Sequence, residues 1–288
     1  MPEVPAIFDL VTRVPPFDCL QAGFMRQALA GLLLLAPMSA AMGVQVVNFR
    51  MSFFADALSH ATFAGVALGL ILAVDPLWSV PVFGLLVGLA IVTLQRRSAL
   101  ATDAIIGVAF AAVVAFGLAM VSRDRAVARD MARYLYGDIL AITSAEMCWL
   151  ALLFAAVAAF ETWGYNRLLY AGLNPALAAA HRVRVALYQY LFAGLLALLV
   201  ALSVRVVGVL LVTALLVVPA AAARNFARSA GGMFWWAQLV GVTSAVAGLI
   251  VSAQDWARTA TGATIVLAGC AWFLVSWVVA LARGTHRR

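Results

Sequence analysis

The sequence predicts an all-α fold, a polytopic membrane bundle of eight or nine transmembrane helices, and three observations carry that reading. Hydrophobic residues fill 66% of the 288 positions and charged residues only 11%, with a mean hydropathy of +1.04. A water-soluble domain needs about a quarter of its residues charged to cover its surface, so this composition excludes one. The apolar residues fall in blocks of about 20, the length of helix that crosses a hydrocarbon core roughly 30 Å thick. The linkers between blocks sort by arginine content, as the loops of a membrane protein do.

The blocks run roughly over 23–47, 53–73, 77–94, 104–121, 146–163, 186–203, 206–223, 232–252 and 262–281. Pro37 and Pro219 lie inside blocks; each removes a backbone donor, so bent helices are expected there. Gly65 with Gly69, and Gly84 with Gly88, are small-xxx-small pairs, which read as close helix packing. No internal repeat is visible, and residues 1–288 read as a single transmembrane domain with a polar N-terminal extension over 1–22. That extension carries Glu3, Asp9 and Asp18 without a basic start and apolar core, so no cleavable signal peptide is expected.

All nineteen basic residues are Arg. A Walker A loop places a lysine on the nucleotide phosphates, so the chain has no Walker-type ATP site. Arg50, Arg96 and Arg97, Arg182 and Arg184, Arg224 and Arg228, and Arg283, Arg287 and Arg288 mark alternate linkers, which places them in the cytoplasm and the N-terminus outside. The stretch Ser122–Ser144 departs from this scheme. Its Arg123, Arg125, Arg129 and Arg133 interleave with Asp124 and Asp130, as in an amphipathic surface helix. A net charge of +7 does not imply nucleic acid, because no basic run is interleaved with stacking aromatics. Cys19, Cys148 and Cys270 are too scattered for a disulfide framework or a Cys-x-x-Cys metal site.

The segment FFADALSHATFAGVALGLILAVDP, residues 53–76, is the most informative. Asp56 and His60 are four apart, so they emerge on one helix face one turn apart. A carboxylate and an imidazole so placed form half of a site for a borderline divalent cation. An Asp well inside a membrane helix costs about 2.5–3.5 kcal/mol on insertion scales and usually faces a water-filled cavity or a partner. Two plainer readings stay open: Asp56 caps the helix at a membrane boundary, or His60 bonds to a neighbouring helix. Asp138 and Glu146 read as solvated loop carboxylates or as an external receiving point for an ion. Asp103 stands at a helix start, where capping accounts for it. Glu161, near the end of a span, has no clear role. His181, flanked by Arg182 and Arg184, suits a cation poorly. Trp235 and Trp236 suit a membrane interface. An ion-coupled secondary transporter, with Asp56 and His60 as proton or cation sites, is the competing class. An intramembrane enzyme is excluded, since there is no HExxH and no Ser and His pair in a nucleophile setting.

The run RMSFFADALSHATFAGVALGL resembles the signature of the permease of bacterial ABC importers for zinc, manganese and iron, in which Arg-Met-Ser precedes an Asp-x-x-x-His helix. The resemblance continues, in order, through TDAIIGVAF (102–110), YLYGDILAIT (134–143), NPALAAAHRVRV (174–185) and VVGVLLVTALLVVPAAAAR (206–224). YLYGDILAIT looks more like the zinc branch than the manganese or iron branch. The resemblance implies a fold like that of type II ABC importers and a multi-pass location in the cytoplasmic membrane of a bacterium. It also implies a homodimer, two copies of a separate cytoplasmic ATPase, and an extracytoplasmic solute-binding protein that delivers the cation. The missing lysine fits that division of labour. No permanently bound cofactor is implied; Zn2+, or Mn2+ or Fe2+, is the cargo, and Asp56 and His60 match the helix that lines its path. NPALAAAHRVRV and RNFARSAGGMFWW (224–236) are the candidate ATPase contacts, each rich enough in Ala for a short helix. Relatives commonly carry Asp where this chain has Asn174, and Leu-Gly where it has His181 and Arg182, which puts the local docking contacts in question.

Overall fold

The computed structural model describes residues 23–122, 139–173, 178, 181–254, 256–257 and 259–284. Among these residues nine helices are long and apolar enough to span a membrane, the higher of the two expected counts. They are α1 (Gly23–Asn48), α2 (Ser52–Ile71), α3 (Pro76–Arg97), α4 (Thr102–Val121), α5 (Ser144–Leu173), α6 (Val185–Val207), α7 (Val209–Phe226), α8 (Ala230–Ser252) and α9 (Thr261–Ala282), with a 3₁₀ turn at Ile139–Ala141. The N-terminal extension, most of the expected surface helix between Ser122 and Ser144, and half of NPALAAAHRVRV lie outside the described residues.

Connections are short wherever the sequence supplies turn chemistry. Arg50 takes a left-handed conformation (φ 56°), and the Met51 N–H donates to the Val46 carbonyl at 2.9 Å, so α1 reverses into α2 within three residues. Asp75 caps α3, its Oδ1 accepting from the Leu77 N–H at 2.8 Å, with Pro76 at the first helical position where its missing N–H is not needed. A single residue, Gly208 (φ 81°), separates α6 from α7. Its N–H closes α6 on the Val204 carbonyl at 2.8 Å. RNFARSAGGMFWW corrects an expectation, because it forms no separate short helix. It is the end of α7, three linking residues and the start of α8, where the Ser229 hydroxyl accepts from the Gly232 N–H at 3.1 Å. A good N-cap directly after α7 starts the next span at once.

The most enclosed helices are α1, α2 and α6, and the least enclosed are α4 and α9. α1 packs on α5, α7 and α8, and α9 closes over α7 and α8. α2 packs on α3, α4 and α6, and α3 in turn on α6, where the Thr93 and Tyr190 hydroxyls lie 3.1 Å apart. The small-xxx-small pairs serve these contacts within the chain. A Cβ at Gly65 would lie 3.1 Å from Val80 Cα in α3, and one at Gly88 would lie 3.3 Å from Ala197 Cβ in α6. The closest approach is between α1 and α7: a Cβ at Gly43 would overlap the carbonyl oxygen of Leu216. Pro37 and Pro219 stand beside this crossing. The Pro37 carbonyl accepts from Gln238 Nε2 of α8 at 3.1 Å, and Pro219 faces Gly241 of α8.

Gly43→Ala therefore forces α1 and α7 apart at a point where backbone meets backbone, an overpacking change that costs about 1–3 kcal/mol. Thermal unfolding of the purified protein should show this loss, whereas Gly107→Ala, which has nothing within 4 Å of the new methyl group, should unfold like the parent.

Candidate metal site

α2 is a helix of small residues on its packed side. Ala55, Ala57, Ala61, Ala64, Gly65, Ala67 and Gly69 are buried, which lets α3, α4 and α6 close in around it. Asp56 and His60 emerge from this surface, each half-buried. At about 1.5 Å rise per residue their backbones are separated by roughly 6 Å along the axis. They lie within the first nine residues of α2, nearer the arginine-marked end of the bundle. Met51, not Asp56, is the N-cap, and no side chain caps this helix, so the capping reading of Asp56 does not hold. Among the described residues neither Asp56 nor His60 has a hydrogen-bond or ion-pair partner; the His60 ring instead meets Phe110 of α4 edge to face, with centroids 5.0 Å apart at 87°. The hydrogen-bonded reading of His60 is not what the fold provides either. Among the described residues no three His, Cys, Asp or Glu side chains converge on a common point, and Asp56 and His60 stand without a third such side chain.

The other polar candidates have partners or exposed positions. Glu146 and Thr143 form a reciprocal cap at the start of α5. Glu146 Oε2 accepts from the Thr143 N–H at 3.0 Å and from its hydroxyl at 2.9 Å, while Thr143 Oγ1 accepts from the Glu146 N–H at 3.3 Å, a capping box. Glu146 also pairs with Arg205 of α6 at 3.5 Å. It is neither a free loop carboxylate nor an open receiving point. Asp138 lies outside the described residues. Asp103 is exposed in the first turn of α4, but the N-cap is Ala101 and no side chain bonds there. Its favourable role is charge at a helix N-terminus. His181 stacks on Tyr170 of α5, rings 4.8 Å apart and nearly parallel.

Sequence reasoning left three residues without a place. Glu161 is buried in the middle of the packing, and its Oε2 accepts from Gln45 Nε2 of α1 at 3.3 Å. Arg205, in the last turn of α6, ties that helix to the start of α5. Phe110 touches His60. Glu161 was detectable as a carboxylate inside an apolar block and Arg205 as a charge between two blocks, but which helix faced them was not; Phe110 closes the TDAIIGVAF segment, where nothing marked it as the neighbour of His60.

Comparison with known proteins places this geometry. The ABC 3 transport family matches residues 21–280. The high-affinity zinc uptake system membrane protein ZnuB of Haemophilus influenzae is 33% identical over 244 residues, 85% of this chain and 93% of that protein. The manganese import system permease protein ScaB of Streptococcus gordonii is 30% identical over 262 residues, 89% and 91% of the two chains. Among solved structures, PsaBC from Streptococcus pneumoniae in complex with Fab superimposes with a TM-score of 0.74 at 30% identity, covering 94% of this chain and 95% of that one.

The cap at α5 can be tested apart from transport. Thr143→Ala removes one side of the reciprocal pair and should lower stability by about 1 kcal/mol in thermal or denaturant unfolding. Thr143→Ser, which keeps the hydroxyl, should restore most of it.

Proposed function

Because the chain belongs to the ABC 3 transport family, as the multi-pass permease of a metal-ion ABC importer in the bacterial inner membrane, we propose that zinc is the ion it carries into the cell. The observation that carries the site is the pair Asp56 and His60, one turn apart in an enclosed span and without a hydrogen-bond or ion-pair partner among the described residues. A carboxylate oxygen and an imidazole nitrogen suit zinc. Two ligands hold an ion only weakly, which a transported ion requires. If α2 of two copies meets at a shared axis, two such pairs would complete four ligands for zinc, and parting of the pairs would return the weak two-ligand state. The extracytoplasmic binding protein loads this path, and two cytoplasmic ATPase subunits drive the change between outward and inward openings. The similarity to the zinc permease of Haemophilus influenzae supports the choice of metal. Manganese is the second reading, favoured by the nearly equal similarity to the permease of Streptococcus gordonii; iron uses the same ligand types.

Asp56→Ala and His60→Ala should each abolish metal uptake and growth in metal-starved cells that depend on this importer. Both variants should still co-purify with the ATPase. Wild-type uptake by either one contradicts the pathway assignment. In the same cells the parent chain should restore growth limited by zinc; restoration only of growth limited by manganese moves the cargo to the second reading.

A further inference from the structure

We propose that Phe110 is a positioning residue for His60, one that orients the imidazole toward the ion and so biases the pathway toward cations that prefer nitrogen ligands. The inference rests on the reading of His60 as a metal contact. A histidine that binds metal almost always donates its second ring N–H to a carboxylate, a carbonyl or water, which fixes both tautomer and ring orientation. His60 has no hydrogen-bond partner among the described residues, and the contact on its ring is Phe110, edge to face at 5.0 Å and 87°. This is one of the two arrangements that aromatic pairs favour.

The position of Phe110 is itself fixed by packing. On the same face of α4, Ile106 is fully buried and Val113 nearly so, and a Cβ at Gly117 would lie 3.4 Å from Ala64 Cα of α2. α4 is therefore seated along α2 on both sides of the ring contact. An aromatic neighbour sets the plane of the imidazole without choosing its tautomer. The ligand is held ready yet not locked, in keeping with an ion that must be released. Any shift of α4 along α2 would also turn the ring, which links the ligand to the arrangement of the helices. Imidazole nitrogen suits zinc, whereas manganese favours oxygen ligands such as Asp56. Loss of the ring should thus weaken zinc binding more than manganese binding.

The test uses the full-length protein in nanodiscs, with Co2+ alone as the probe read by visible absorption, and Zn2+ and Mn2+ then added as competitors. Phe110→Leu, which keeps an apolar side chain but removes the ring, should weaken Co2+ and Zn2+ binding by on the order of tenfold, the range for disturbed outer-shell partners. Mn2+ should weaken less, and the unfolding temperature should stay that of the parent. Phe110→Tyr, which keeps the ring, should bind like the parent. If Phe110→Leu does not assemble, Phe110→Met is read in its place. Parent-like Zn2+ affinity in the ring-less variant, or equal losses for Zn2+ and Mn2+ together with a lower unfolding temperature, overturns the inference. Parent-like Co2+ binding by His60→Ala, or no Co2+ binding by the parent, overturns the reading of His60 beneath it.

Discussion

Within hydrocarbon a polar group has no water to turn to, and it must find its partner inside the protein. That constraint organises the bundle. Asp75 meets the Leu77 N–H at the head of α3. Glu146 is used twice, by its own helix end and by Arg205. Glu161, the most enclosed of the carboxylates, is met by Gln45. Asp103 sits exposed in a first turn, where the helix dipole favours it. Asp56 is the exception: it lies beyond the first turn of an enclosed span and has no protein partner among the described residues. His60, one turn on, shares that condition apart from its contact with a phenyl ring. Glu161 keeps one buried oxygen, Oε1, without a partner among the described residues, whereas Asp56 and His60 have no hydrogen-bond or ion-pair partner there at all.

The helices pack in two groups. α1, α7 and α8 meet through backbone and prolines around Gly43, Leu216 and Gly241, and α9 closes over α7 and α8. α2, α3, α4 and α6 form a second group in which Ala and Gly allow close approach. α5 lies against α1 and α6, joined to the first by Glu161 and Gln45 and to the second by Glu146 and Arg205. Arg167 of α5 adds a contact with Tyr188 of α6, to both its hydroxyl and its ring. Asp56 and His60 lie in the second group, on a helix that meets its neighbours through Ala and Gly and also through Leu58, Phe63 and His60. The Ser79 hydroxyl of α3 donates to the Gly65 carbonyl of this helix at 3.0 Å and ties the two together.

Much of this was legible in the sequence because membrane spans announce themselves by length and apolarity. All nine blocks became helices, with shifts at their ends. α5 runs ten residues past its expected limit at 163; Arg167, Leu168, Leu169 and Ala171 favour helix there, and the Tyr165 hydroxyl anchors the extension to the Ala230 carbonyl at 2.8 Å. α6 and α7 leave only Gly208 between them, a single left-handed residue that hydropathy cannot locate. The pair Asp56 and His60 was visible because both residues sit in one helix at a spacing that fixes their common face. Glu161 with Gln45, and Glu146 with Arg205, were not, because each joins residues more than 55 positions apart. Periodicity within a helix says which residues share a face, not which face of another helix receives them.

The chain provides a route without a motor. All of its basic residues are Arg, so no Walker lysine exists to hold a nucleotide. The family to which it belongs assigns such chains the membrane-spanning part of an importer. The measurement that tests this account most directly is zinc uptake into liposomes containing the purified chain, with and without its ATPase, binding protein and internal ATP. The account predicts no uptake by the chain alone, under any ion or proton gradient, and uptake when the partners and ATP are present. Gradient-driven uptake by the chain alone would contradict it, and would make Asp56 and His60 the coupling site of a secondary transporter.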